Sequence, residues 1–139
     1  MKKRSKSVKE TMEIGVKFAK GLKRGDCVAL IGDLGAGKTV FTKGVAKGLG
    51  VKNARYVNSP TFVIIKEHKG RFPLYHFDLY RLDSHSGFDD MNCEEYFYGD
   101  GVTVIEWADK IRELLPDRRW EISLVAIDEK HRNIEIKRI

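Results

Sequence analysis

A chain of 139 residues, of which 42% are hydrophobic and 33% charged, is long enough to bury one core without disulfides or a structural metal, and three prolines argue against a linker-rich or disordered chain. No run approaches the 18 or more apolar residues of a membrane span, and Cys27 and Cys93 form no CxxC pattern, so a reducing cytoplasm is expected rather than secretion or membrane insertion. The net charge of +6 lies at one end: residues 1–24 hold nine Lys or Arg against two Glu, the remainder seventeen against eighteen acids, which argues against a continuous nucleic-acid groove.

The basic residues 1–6 are expected to form a flexible head on a single domain spanning 1–139. From Ser7 to Lys23 the apolar residues Val8, Met12, Val16, Ala19 and Leu22 recur at helical spacing. Ser7 with Glu10 has the form of a capping box, and Gly25 ends the segment. Cys27 to Ile31, CVALI, is a continuous apolar run of the kind buried parallel strands show. A glycine-rich loop follows, then a second helical pattern carrying Phe41, Val45 and Leu49 and stopped by Gly50. Phe62 to His68 and Phe72 to Asp78 flank Lys69-Gly70-Arg71 as a hairpin, with Pro73 at an edge or a strand start. Phe88 to Tyr98, within an acidic stretch from Asp83 to Asp109, is weakly helical. Val102 to Ile105 is another buried-strand run, ending in Glu106-Trp107. Trp120 to Ile127 and Asn133 to Ile139 alternate as a closing hairpin.

The loop Gly32-Asp33-Leu34-Gly35-Ala36-Gly37-Lys38-Thr39 matches GxxxxGK[ST] in full, between a strand and a helix. Such a loop turns successive backbone N–H groups toward phosphate oxygens, and the helix N-terminus adds partial positive charge. Lys38 is expected at the β- and γ-phosphates and Thr39 on Mg²⁺. A phosphate site of this kind also needs a strand-end carboxylate, for which Glu106 and Asp78 compete. His76, two residues before Asp78, lies on the same side of a strand and either helps position that carboxylate or is a plain structural histidine. The histidines and cysteines show no metal-ligand spacing, and there is no nucleophile elbow.

The loop GDLGAGKT, the segment Asn58-Ser59-Pro60-Thr61-Phe62, the run His76-Phe77-Asp78-Leu79-Tyr80-Arg81 and the pair Glu106-Trp107, in that order, closely resemble the TsaE (YjeE) family. The resemblance runs from about Ser7 to about Glu121, most of the chain. It implies an α/β P-loop NTPase-like domain, with a parallel sheet core, additional antiparallel strands and flanking helices. It also implies ATP with Mg²⁺ as cofactors and slow hydrolysis within a complex with the TsaD and TsaB proteins. There ATP turnover supports repeated rounds by TsaD, which transfers the threonylcarbamoyl group to the adenosine next to the anticodon of tRNA; contact of this chain with tRNA would be indirect.

Carried over by the resemblance, Asp33, Leu34, Gly35, Ala36, Gly37, Lys38 and Thr39 hold the phosphates, Thr39 and Glu106 hold Mg²⁺, and Asp78 joins Glu106 in hydrolysis. Ser59 and Thr61 fall in a switch-like segment, with Thr61 as a γ-phosphate sensor or a strand-opening residue. Trp107 packs by the nucleotide, at a partner face, or in the core. Thr11 matches a position near the adenine, and Arg132 reaches the base or is solvated. A GTPase switch and a small-molecule kinase would use the same phosphate site. Against them, there is neither DxxG nor NKxD, and of the arginines a kinase lid would need, Arg118-Arg119 is the sole adjacent pair and precedes a strand. An RNA-binding module would rest on the basic head alone.

Overall fold

The apolar runs read as buried strands form the centre of one seven-stranded sheet. The computed structural model describes residues 1–54, 57, 65–82 and 93–139. The elements are β1 (Lys2–Ser5), α1 (Val8–Ala19), β2 (Cys27–Ile31), α2 (Lys38–Gly48), β3 (Ile65–Lys69), β4 (Pro73–Asp78), a single helical turn α3 (Glu94–Phe97), β5 (Val102–Glu106), a 3-10 helix (Ala108–Leu114), β6 (Trp120–Ala126) and β7 (Arg132–Arg138). The strand order is β1-β7-β6-β2-β5-β4-β3. β6, β2, β5 and β4 run parallel, and β3, β7 and β1 add antiparallel wings. This is the expected α/β architecture.

Period-two alternation splits the core between the two faces. Val28, Leu30, Leu74, Val102, Val104 and Ile122 face α1 and α2. Cys27, Ala29, Phe77 and Ile105 pack on the other face with Phe97, Ala108 and Ile111. Both cysteines are buried, and burial pushes the Cys27 thiol up to about 12. It is therefore a small core residue and not a nucleophile. Among the described residues, no helix is long and apolar enough to cross a membrane.

Two features depart from the expectations. Lys2–Ser5, expected as a flexible head, forms strand β1 on the edge of the sheet, with Lys3 opposite Ile134 and Ser5 opposite Arg132 of β7. Its anchor is polar: buried Ser5 Oγ lies 2.7 Å from Thr11 Oγ1, and the Met1 ammonium donates to Ile136 O at 2.9 Å. The other is the face of α1. Ser7 caps the helix by accepting from Glu10 N at 3.0 Å, as expected, although the Glu10 carboxylate reaches back to Lys6 N at 2.7 Å. The helix ends at Ala19, and its buried positions are Thr11, Gly15 and Ala19, while Val8 is exposed.

Small residues let α2 approach along that stripe. A Cβ on Gly44 would stand 2.2 Å from Met12 O, and one on Gly15 would stand 2.6 Å from Phe41 O. Alanine normally favours a helix over glycine by about 1 kcal/mol. Here the sign reverses, because the obstruction is main chain and cannot swing aside. Gly44→Ala is expected to destabilise the protein by about 1–3 kcal/mol, read as a lower midpoint in urea or thermal unfolding.

The hairpin pairs Lys69 with Pro73 and Ile65 with Phe77, so Pro73 opens β4, which is an interior strand. The expected strand segment 62–64, and 88–92 of the weakly helical stretch, lie outside the described residues.

Candidate active site

The parallel strands β2, β5 and β4 end side by side, which is where open α/β sheets collect ligand-binding groups. β2 delivers the chain into the loop 32–37, and α2 begins at Lys38. Gly35 and Gly37 have φ of +80° and +105°, values that L side chains rarely adopt, so glycine at these positions allows the loop to fold. Within the loop Ala36 N donates to Asp33 O at 3.0 Å. Leu34 is exposed and Ala36 buried.

Lys38 is buried, with its ammonium drawn into its own loop. Nζ donates to Gly32 O and, at 2.8 Å, to Asp33 O. It also lies 3.9 Å from the centroid of the Trp107 ring. Burial holds the ammonium below the usual lysine range, and the charges of Glu106, Asp109, Asp33 and Asp78 offset part of that shift.

Asp78 and Glu106 are register partners at the ends of β4 and β5, so both carboxylates project from neighbouring positions on the α2 side of the sheet. Glu106 is 2% exposed. Its Oε1 accepts from Thr39 Oγ1 at 2.8 Å, and its Oε2 lies 2.5 Å from His76 Nε2. Half-buried Asp78 accepts from Tyr80 N at 3.0 Å through Oδ1. The two competing acids thus stand together, one fixed beside Thr39 and the other beside it at the rim.

Trp107 follows Glu106 with φ of +62°, a left-handed conformation that costs a bulky residue about 1–3 kcal/mol. Packing holds it: the Trp107 and Tyr80 ring centroids are 5.2 Å apart, and Lys38 covers the ring. The ring therefore meets the loop lysine and, partly buried, also packs against the core cluster of Phe77, Ile105, Ala108 and Ile111.

Thr11 and Arg132, distant in sequence, meet beside Gly37. A Cβ on Gly37 would come 3.7 Å from Thr11 Cγ2 and 3.9 Å from Arg132 Nε. Arg132 Nη2 donates to Gly35 O at 3.1 Å, while Nη1 donates to Asp128 O at 2.6 Å. The β6–β7 turn is thereby tied to the loop. Ser59 and Thr61 lie outside the described residues.

Sequence reasoning missed two contacts. His76 meets Glu106 on the adjacent strand; as a candidate to position a carboxylate it had been paired with Asp78 on its own, and only the β4–β5 register reveals the other partner. Lys110 Nζ donates to Tyr80 O at 2.5 Å and Leu82 O at 3.3 Å, pinning the segment after Asp78, and no motif marked it.

These residues fit a magnesium nucleotide. The hydroxyl of Thr39 and the carboxylate of Glu106 are hard oxygen donors of the kind Mg²⁺ takes, and Lys38 places a cation within the glycine-rich loop. Among the described residues, no group of three or more His, Cys, Asp or Glu side chains is arranged to hold a metal alone. Mg²⁺ commonly binds through one or two carboxylates plus substrate phosphates, a mode that a single carboxylate beside a hydroxyl can serve.

Similarity to known proteins agrees with the geometry. Residues 5–134 match the family model described as threonylcarbamoyl adenosine biosynthesis protein TsaE. The chain is 47% identical over 135 residues to the tRNA threonylcarbamoyladenosine biosynthesis protein TsaE of Bacillus subtilis, covering 96% of this chain and 83% of the relative. It is 40% identical over 132 residues to the protein of that name from Treponema pallidum, covering 95% and 96% of the two chains. The crystal structure of Bacillus subtilis YdiB superposes with a TM-score of 0.81 at 41% identity, over 96% of this chain and 82% of that one. With the glycine-rich loop, the strand-end acids and nearly the whole sheet inside the matched span, the chain belongs to the TsaE family.

Proposed function

We propose that this chain is a P-loop ATPase that serves formation of the threonylcarbamoyl group on the adenosine next to the anticodon of tRNA. It binds ATP with Mg²⁺ and hydrolyses it slowly within a cytoplasmic complex with TsaD and TsaB. Its turnover sustains repeated rounds by TsaD, and the chain does not transfer the group itself. The observation that carries the ATPase reading is the hydrogen bond of Thr39 to Glu106 at the mouth of the phosphate loop. Family membership carries the pathway.

In this reading the backbone N–H groups from Asp33 to Thr39 bind the phosphates, and Lys38 leaves the Gly32 and Asp33 carbonyls to meet them. Thr39 and Glu106 hold Mg²⁺, which when bound neutralises charge on the phosphate oxygens. Asp78, half-buried beside Glu106, orients the attacking water, whose oxygen bonds to the γ-phosphorus as the bridge to ADP breaks. Thr11 and Arg132 flank the loop on the side where the base is expected. Ser59, Thr61 and Trp107 answer to the nucleotide or to the partner proteins.

The test is reconstitution. TsaD and TsaB with tRNA and their other substrates should modify many more tRNA molecules per TsaD when this protein and ATP are present, as counted by mass spectrometry of the nucleosides. Equal product with and without it would refute the role.

A further inference from the structure

We propose that His76 is a positioning residue for Glu106, its Nε2–H fixing one carboxylate oxygen so that the other stays on Thr39 at the phosphate loop. The proposal rests on the Mg-ATP reading above. His76 is fully buried in β4, opposite Val104 of β5. Its Nε2 is 2.5 Å from Glu106 Oε2, while Glu106 Oε1 takes the Thr39 hydroxyl at 2.8 Å. Each oxygen of one carboxylate is therefore held by a different element, β4 and α2, which leaves the group no free rotation about its last bond.

The ring's other nitrogen points to a specific role. Nε2 faces a carboxylate oxygen, which accepts, so that nitrogen carries the proton, while Nδ1 is buried without a hydrogen-bond partner among the described residues. An unpaired buried nitrogen is costly, and an apolar side chain in a core strand beside Leu74 would avoid that cost. What an apolar side chain lacks is the N–H aimed at Oε2. Carboxylates that ligate metals are typically held by such outer partners, whose loss weakens metal affinity or activity about 10–100-fold.

The experiment uses the full chain as wild type, His76→Leu and His76→Gln, since the glutamine amide can restore an N–H at the Nε2 position. The probe is a fluorescent N-methylanthraniloyl ATP, titrated with Mg²⁺ and, separately, bound in EDTA. In His76→Leu the half-saturating Mg²⁺ concentration should rise about tenfold or more, and in His76→Gln it should return to within about threefold of wild type. Affinity in EDTA should stay within about twofold in all three, because no phosphate contact is touched. Unchanged Mg²⁺ dependence in His76→Leu overturns the proposal. So does equal loss in both variants, the outcome of a packing role. If wild type itself binds no nucleotide with Mg²⁺, the Mg-ATP reading falls and the proposal with it, and this appears before any substitution is made. Should His76→Leu fail to fold, wild type decides: an exchange-protected His76 Nε2–H proton resonance that shifts on adding Mg²⁺ and nucleotide is expected. A ring protonated only at Nδ1 overturns the proposal.

Discussion

Lys38→Ala is expected to lower nucleotide affinity by about thirtyfold or more, since truncating one member of a buried charged contact costs roughly 2–5 kcal/mol. The structure makes the effect specific. Lys38 is buried, held by the carbonyls of Gly32 and Asp33 and covered by Trp107. Burial already disfavours its charged form, and anionic phosphate oxygens would offset that more strongly than the neutral carbonyls that hold it. Lys38→Arg should not restore binding, because the planar guanidinium is broader than an ammonium and the loop encloses a point charge. Calorimetric titration with ATP measures both, and near-wild-type affinity in Lys38→Ala would remove the phosphates from this loop.

Glu106→Ala and Asp78→Ala should behave differently, keeping nucleotide affinity within about tenfold while turnover falls about 10²–10³-fold, the range seen when a group that acts mainly in the transition state is removed. The two should also differ from each other in stability. Glu106 is buried, and its removal leaves His76 Nε2 and the Thr39 hydroxyl without that acceptor, at a cost of about 1–3 kcal/mol. Asp78 is half-buried and, among the described residues, accepts from the Tyr80 amide, so its loss should barely move the unfolding midpoint. Phosphate release, nucleotide titration and thermal unfolding on the two variants separate these terms. Equal loss of affinity in Lys38→Ala, Glu106→Ala and Asp78→Ala would defeat the division of roles.

Much of the site was legible because its signals are local. Gly32 to Thr39 carries its meaning in spacing and in the apolar run before it, and the strand ends at Asp78 and Glu106 follow from short buried runs. The hairpin at Lys69-Gly70-Arg71 and the pairing of β6 with β7 follow from alternation and turn residues. What was not legible depends on pairing across the sheet. Lys-Lys-Arg-Ser has no apolar periodicity, so a charged edge strand held by main-chain ladders and one buried serine resembles a loose terminus. The buried stripe of α1 is Thr11, Gly15 and Ala19, residues that carry little hydrophobicity and are chosen for closeness to α2. The His76–Glu106 contact required the register of β4 on β5, which no single strand encodes. The 3-10 turn after Trp107 follows a left-handed tryptophan, a conformation that propensity argues against.

The most direct test of the central claim is ATP hydrolysis by this protein with and without TsaD and TsaB, with GTP in parallel and Glu106→Ala as the control. Slow turnover alone, stimulated by the partners, selective for ATP and lost in Glu106→Ala, is the predicted result. Turnover indifferent to the partners, or faster with GTP, would contradict an ATPase subunit of the tRNA-modifying complex.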